Sequence, residues 1–169
     1  MAECRSVLVA GVGNIFLGDD GFGSEVARRL AARPLPEGVR VKDYGIGGIH
    51  LAYDLLNGVD QLVLIDALPS GAEPGTVSLL HVDPDEQTER GTVDSHAMDP
   101  ATVFASLRGL GGTLPPTVVV GCEPAEVSER MGLSPVVEAA VEPTVEQLVT
   151  LLSEPDNGLG HTLPIDERG

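Results

Sequence analysis

Aromatic side chains and positive charge are both scarce in this sequence of 169 residues. Aromatics make up 3% of it and tryptophan is absent, so a core must be built from Val, Leu, Ile and Ala, as buried parallel sheets usually are. The 26 acidic residues outnumber the 10 basic ones and give a net charge of −16. Such a charge repels phosphate, so neither nucleic acid nor an anionic membrane is an expected partner.

Cysteines and long apolar runs are also few, which limits where the protein is expected to work. Cys4 and Cys122 cannot form a disulfide framework, and they lack Cys-x-x-Cys metal spacing. No uninterrupted apolar run approaches the ~20 residues that a membrane span needs. The first residues also lack the order of regions found in a signal peptide. We therefore expect a reducing, cytoplasmic setting.

Short apolar runs alternate with amphipathic segments along the chain, which is typical of an α/β fold. The predicted strands are 6–10, 39–44, 61–66, 76–82 and 117–121, the fourth at an edge. The predicted helices are 22–33, 49–56, 99–110 and 134–152, the last interrupted or kinked near Pro143. We predict three αβα layers, with helices on both faces of a mostly parallel, twisted sheet of about five strands. Residues 1–152 form one predicted domain, and 153–169 are expected to be a flexible tail.

In such a fold the functional site lies outside the carboxyl ends of the strands. The turn after the first strand begins Gly11-Val12-Gly13-Asn14, which is similar to the start of a dinucleotide-binding loop. The dinucleotide pattern needs a third glycine where Phe16 stands, and two aspartates precede the helix where a pyrophosphate would bind. Nucleotide binding is therefore not expected.

Three potential metal ligands fall in turns at that end of the sheet. Asp20 follows the first strand, Asp66 ends the most apolar strand, and His96 precedes a predicted helix. Taken singly, each is explained by an exposed polar residue at a strand end or in a loop. Together, two carboxylates and an imidazole suit a divalent transition metal and leave coordination positions open for substrate or water.

With these residues the chain resembles the NiFe-hydrogenase maturation endopeptidases. The family's opening motif is matched by Gly11-Val12-Gly13-Asn14 followed by Asp19-Asp20-Gly21. Later family segments are matched in order by Asp43-Tyr44-Gly45-Ile46-Gly47-Gly48, Leu64-Ile65-Asp66-Ala67, Ser95-His96 and Gly132-Leu133-Ser134-Pro135. The similarity covers about residues 6 to 152.

The resemblance implies removal of a short C-terminal peptide from the hydrogenase large-subunit precursor after nickel insertion. It places the family's metal-contacting residues on Asp20, Asp66 and His96, with nickel supplied by the precursor and no organic cofactor. Many relatives have Glu where this chain has Asp20, which keeps the charge but shortens the reach. A Thr that is common in the glycine-rich turn is here Ile46, so we assign that position no polar role.

The sequence does not decide the catalytic mechanism, and it leaves two alternative functions open. Neither a Gly-x-Ser-x-Gly elbow nor a His-Glu-x-x-His helix is present, and both cysteines are expected to be dispensable. Nickel could polarise the scissile carbonyl or activate water, or an aspartate could act as general base. The alternatives to the peptidase are a non-catalytic metal- or peptide-binding module and a metal-dependent hydrolase of small molecules.

Overall fold

Five strands form one sheet in the computed structural model, which describes residues 5–82 and 100–154. The strands are β1 (Val7–Val12), β2 (Val39–Gly45), β3 (Gln61–Ala67), β4 (Val77–Val82) and β5 (Thr117–Cys122). Their spatial order is β2-β1-β3-β5-β4, with β4 antiparallel to β5 and the other pairs parallel. The predicted α/β class, the mostly parallel sheet and the edge position of the fourth strand are confirmed.

Within the part of the chain that the structure describes, four α-helices cover the two faces of the sheet. They are α1 (Phe22–Ala31), α2 (Gly48–Leu56), α3 (Pro100–Gly109) and α4 (Pro135–Ser153). Alternate strand residues point to opposite faces: Val7, Val9 and Ile65 pack with α1 and α4, whereas Leu8, Leu62 and Leu64 pack with α2 and α3. The predicted three layers are therefore present.

Helix α4 differs in part from the prediction made for it. It is continuous from Pro135 to Ser153, so Pro143 does not interrupt it. The buried positions of α4 continue on both sides of Pro143, from Val137 and Val141 to Val145 and Leu148. Packing of this apolar face against the sheet offsets the loss of one backbone hydrogen bond at the proline.

The prediction of a flexible C-terminal tail falls largely outside the described residues. The proposed tail begins where α4 ends, and residues 155–169 are not described, so its flexibility stays a prediction. Among the described helices, none combines the length and the apolar character needed to cross a membrane.

The order of the strands reverses at β1, and this positions the site. From β1 the chain passes to β2 on one side, and it then returns to β3 on the other side. Ligands in open α/β sheets bind in the crevice at the carboxyl ends of the two strands where the order reverses. The carboxyl ends of β1 and β3 are therefore the place to look for function.

Candidate active site

The turn after β1 folds back against the end of β3 at Gly13. The φ angle of Gly13 is 141°, a region that favours glycine. A Cβ at this position would lie 2.0 Å from the backbone oxygen of Asp20 and 3.9 Å from Oδ1 of Asp66. The absence of a side chain at Gly13 thus lets the segment carrying Asp20 approach the end of β3 that carries Asp66.

The carboxylates of Asp20 and Asp66 are each held by a backbone N–H. The N–H of Asn14 donates to Oδ2 of Asp20 at 2.8 Å, and Asp20 is partly exposed. The N–H of Ala67 donates to Oδ1 of Asp66 at 2.8 Å, and Asp66 is only 3% exposed. A buried carboxylate at a strand end has no packing role that an apolar residue would not fill better, so its charge points to a function.

The third predicted ligand, His96, lies outside the described residues, and its position beside the two aspartates stays a prediction. Within residues 5–82 and 100–154, no three His, Cys, Asp or Glu side chains come together in an arrangement that could hold a metal ion. A metal site at Asp20 and Asp66 therefore stays a prediction.

Asp19, next to the predicted ligand, is a buried carboxylate with four hydrogen bonds. Its Oδ2 accepts from the N–H groups of Ala125 and Glu126, both at 2.9 Å. Ser134 donates its N–H to Oδ1 at 2.7 Å and its hydroxyl to Oδ2 at 2.8 Å. Burial by itself raises the pKa of Asp19, but the hydrogen bonds from Ser134, Glu126 and Ala125 outweigh it and hold the pKa below its ordinary value.

These bonds join the segment 123–134, which follows β5, to the turn that carries Asp20. Backbone bonds add to them: Gly18 N–H donates to the oxygen of Arg130 at 2.8 Å, and Arg130 N–H donates to the oxygen of Phe16 at 3.0 Å. Ser134 precedes α4, but its hydroxyl bonds Asp19 instead of capping the helix. In the sequence Asp19 is recognisable only as half of an acidic pair, because its partner Ser134 lies 115 positions away.

Asp43, which precedes the glycines of the second turn, has a local role in that turn. Its carboxylate is exposed and accepts the N–H of Gly45 at 2.9 Å, as aspartates do in tight turns. The oxygen of Gly45 in turn accepts the N–H of Gly13 at 2.9 Å. The second turn is therefore fixed directly to the residue at which Asp20 and Asp66 approach each other.

Cys122 ends β5 and is unsuited to act as a nucleophile. It is a free cysteine with no exposed surface. Burial, together with the negative charges of Asp19 and Glu123, raises the pKa of its thiol to about 12, so the thiolate is almost absent near neutral pH. This agrees with the expectation that Cys122 is dispensable; Cys4 lies outside the described residues.

Comparison with known proteins gives one consistent result. The family model described as hydrogenase maturation protease matches residues 24–151. The hydrogenase 2 maturation protease of Escherichia coli is 34% identical over 150 residues, which are 88% of this chain and 91% of that protein.

Solved structures agree with the sequence comparison. The hydrogenase maturating endopeptidase HybD from Escherichia coli superimposes with a TM-score of 0.72 at 34% identity, over 88% of this chain and 92% of that one. The NiFe hydrogenase maturation protease HycI from Thermococcus kodakarensis shares the fold, with a TM-score of 0.71 at 24% identity over 89% of this chain and 94% of that one.

Proposed function

The chain belongs to the hydrogenase maturation protease family, and we propose that it removes a C-terminal peptide from the large-subunit precursor of a NiFe-hydrogenase already loaded with nickel. The observation that carries this proposal is the approach of Asp20 and Asp66 at Gly13, where the order of the strands reverses. Two carboxylates at that position form an incomplete ligand set, as expected for a site that contacts a metal brought by its substrate.

In this proposal nickel is part of the substrate, and Asp20, Asp66 and His96 contact it. Carboxylate oxygen and imidazole nitrogen are donors that divalent transition metals accept. Gly13 lets the backbone of Asp20 lie close to Asp66, because a Cβ at Gly13 would overlap the carbonyl oxygen of Asp20 at 2.0 Å and would contact Oδ1 of Asp66 at 3.9 Å. The chain's own residues would therefore recognise a metal-loaded precursor and select it over a metal-free one.

The described residues contribute positioning and charge to catalysis. Asn14 and Ala67 donate backbone N–H groups that orient the two carboxylates. Nickel bound there would supply Lewis-acid polarisation of the scissile carbonyl or of a water molecule. General-base action by Asp20 or Asp66 is the second route, in which that carboxylate takes up the proton of the attacking water as the water adds to the scissile carbonyl.

We place this processing in the cytoplasm. The buried free thiol of Cys122 is compatible with a reducing compartment, as is the small number of cysteines. The proposed partner is the large-subunit precursor, and the acidic chain is not expected to bind nucleic acid.

The test is to incubate the protein with a nickel-loaded large-subunit precursor and to read the product by mass spectrometry. We expect the precursor to lose the mass of a single C-terminal peptide. Asp66→Asn, which keeps the size of the side chain, should abolish the loss. Asp60→Asn is the matched control, since Asp60 is exposed at the opposite end of the sheet and accepts one bond from Ser6 N–H.

Two outcomes would contradict the proposal. One is an unchanged precursor mass with the parent protein at any ratio of the two proteins. The other is processing by folded Asp66→Asn at the parent rate. Hydrolysis of simple esters or amides without any precursor present would instead support the small-molecule hydrolase.

A further inference from the structure

Large hydrophobic side chains are exposed in a cluster at the carboxyl end of the sheet. Of the eleven that are exposed among the described residues, six lie in the three segments that follow β1, β2 and β5 at this end: five are on turns and Ile49 is at the start of α2, so they are not scattered at random. We call these six the apolar rim: Ile15, Phe16, Ile46, Ile49, Val127 and Met131. Single exposed hydrophobics need no explanation, whereas a group of them marks a surface that contacts another molecule.

The three turns adjoin one another around Gly13. The turn carrying Phe16 is bonded to the segment carrying Met131, because Arg130 N–H donates to the oxygen of Phe16 at 3.0 Å. The turn carrying Ile46 follows Gly45, whose oxygen accepts the N–H of Gly13 at 2.9 Å. The apolar rim therefore borders the place where Asp20 and Asp66 approach each other.

Three members of the rim are especially exposed. Ile46 and Met131 are each 67% exposed, and Phe16 is 61% exposed. Side chains this open contribute little to the stability of the chain that carries them, so burial on folding does not account for them. Contact with a partner would account for them.

Charge on the same turns restricts the chemistry of that partner. Arg130 is the single basic residue in the segments 13–21, 45–49 and 123–134, and it pairs with Glu126 at 3.3 Å. Asp20 is partly exposed and Glu129 is exposed beside the rim. An acidic partner would be repelled, and an apolar partner of neutral or basic charge would be accepted.

We propose that the apolar rim binds the C-terminal segment of the precursor, through apolar side chains that flank the scissile bond. This rests on the proposed function, because the turns that carry the rim adjoin Gly13, beside which the proposed function places the scissile bond. The rim then determines which precursor is processed, and Ile46, Phe16 and Met131 are its specificity-determining residues. Contacts of this kind stabilise the bound substrate and the transition state equally. Their loss therefore raises KM and leaves kcat nearly unchanged.

The test measures kcat and KM for nickel-loaded precursor with Phe16→Ser, Ile46→Ser and Met131→Ser, singly and combined. We expect each single variant to raise KM about fivefold to tenfold, as for the loss of one buried apolar side chain from a contact. The triple variant should raise KM by about a hundredfold or more with kcat near the parent value. Because the three side chains are exposed, the variants should fold with unchanged thermal midpoints.

Leu80→Ser and Leu110→Ser serve as matched controls. Leu80 is 47% exposed on β4, and Leu110 is 36% exposed after α3, so both are exposed hydrophobics away from the three turns. Both controls should keep the parent KM.

The outcomes separate this inference from the proposed function. If the parent protein processes the precursor and the triple variant does so with the parent KM, the rim does not bind the precursor. The same conclusion follows if the triple variant changes only the oligomeric state of the protein, measured by sedimentation, because the rim would then face a second copy. If the parent protein does not process any precursor, the proposed function itself fails.

Discussion

Asp19 connects the turn after β1 to the segment that follows β5 through the hydrogen bonds of its buried carboxylate. The two carboxylates of the acidic pair before Gly21 differ in their surroundings: Asp19 has no exposed surface and accepts four hydrogen bonds, whereas Asp20 is partly exposed beside the end of β3. The bonds of Asp19 reach residues more than 100 positions away. No local spacing reveals a contact between segments so distant in sequence.

Asp19→Asn should lower the free energy of unfolding by about 2–3 kcal/mol at pH 7. The single amide oxygen of Asn cannot accept all four hydrogen bonds, and the NH₂ group that replaces the second oxygen cannot accept any. The folded pKa of Asp19 lies below the value of 3.8 for a free aspartate. Its contribution to stability is therefore fully present above pH 3.8 and is lost as the pH falls below that value through the folded pKa.

Urea unfolding of the parent and of Asp19→Asn between pH 7 and pH 3 measures this contribution. We expect the difference in unfolding free energy to be constant down to about pH 4 and to shrink below it. Asp60→Asn, which removes a carboxylate with one exposed hydrogen bond, should change the free energy by less than about 0.5 kcal/mol. A difference between Asp19→Asn and the parent that is absent at pH 7, or unaltered at pH 3, would contradict this account of Asp19.

The proposed metal-contacting residues should act as one unit. We expect Asp20→Ala, Asp66→Ala and His96→Ala each to slow precursor processing by more than about a hundredfold, and any pair to add little, because groups that act together are grossly non-additive. Asp20→Glu should keep activity, since Glu is the residue that many relatives have at this position.

Rates of processing for the single and paired variants, each checked for folding by circular dichroism, test this unit. Three unrelated surface residues would instead give small, additive effects. Parent-rate processing by folded His96→Ala or Asp66→Ala would remove that residue from the proposed site.

At the scale of elements, the position of α1 depends on a close approach to two strands. A Cβ at Gly23, in the first turn of α1, would lie 2.1 Å from the oxygen of Ile65 and 2.4 Å from that of Val12. The helix can therefore pack directly on β1 and β3 because this position has no side chain. The same packing places the beginning of α1, just after Asp20, beside the end of β3.

Gly23→Ala should lower the free energy of unfolding by at least about 2 kcal/mol, because a backbone oxygen cannot move away from the new methyl group without shifting a strand. Gly109→Ala is the matched control: Gly109 ends α3, and a Cβ there would meet nothing within 4 Å. Chemical unfolding should show the control at or slightly above the parent stability. Equal stability of both variants would mean that α1 is not held by this contact.

Most elements could be predicted from the sequence because each has a strong local pattern. The apolar run of Gln61–Ala67 and the four-residue spacing of Phe22, Val26 and Leu30 specify their structure without help from distant residues. Helix α4, predicted to be interrupted or kinked near Pro143, was the exception: it is not interrupted, because it packs on a sheet whose strands lie far away in sequence.

For the molecule as a whole, the sequence predicted the α/β class, the layers and the edge strand, together with the sheet end that carries Asp20 and Asp66. The strand order and the joining of segment 123–134 to the first turn needed the structure, because both depend on contacts between distant parts of the chain. The exposure of the apolar rim could also not be predicted, since no local sequence pattern distinguishes an exposed isoleucine such as Ile46 from a buried one.

We propose that Asp20, Asp66 and His96 recognise nickel carried by the precursor. The most direct measurement compares cleavage of nickel-loaded and metal-free precursor by the parent protein under identical conditions, with product masses read over time. This account predicts processing of the nickel-loaded precursor and none of the metal-free one within the same period. Equal rates for the two precursors would contradict it, because the metal would then not be what the two aspartates and the histidine recognise.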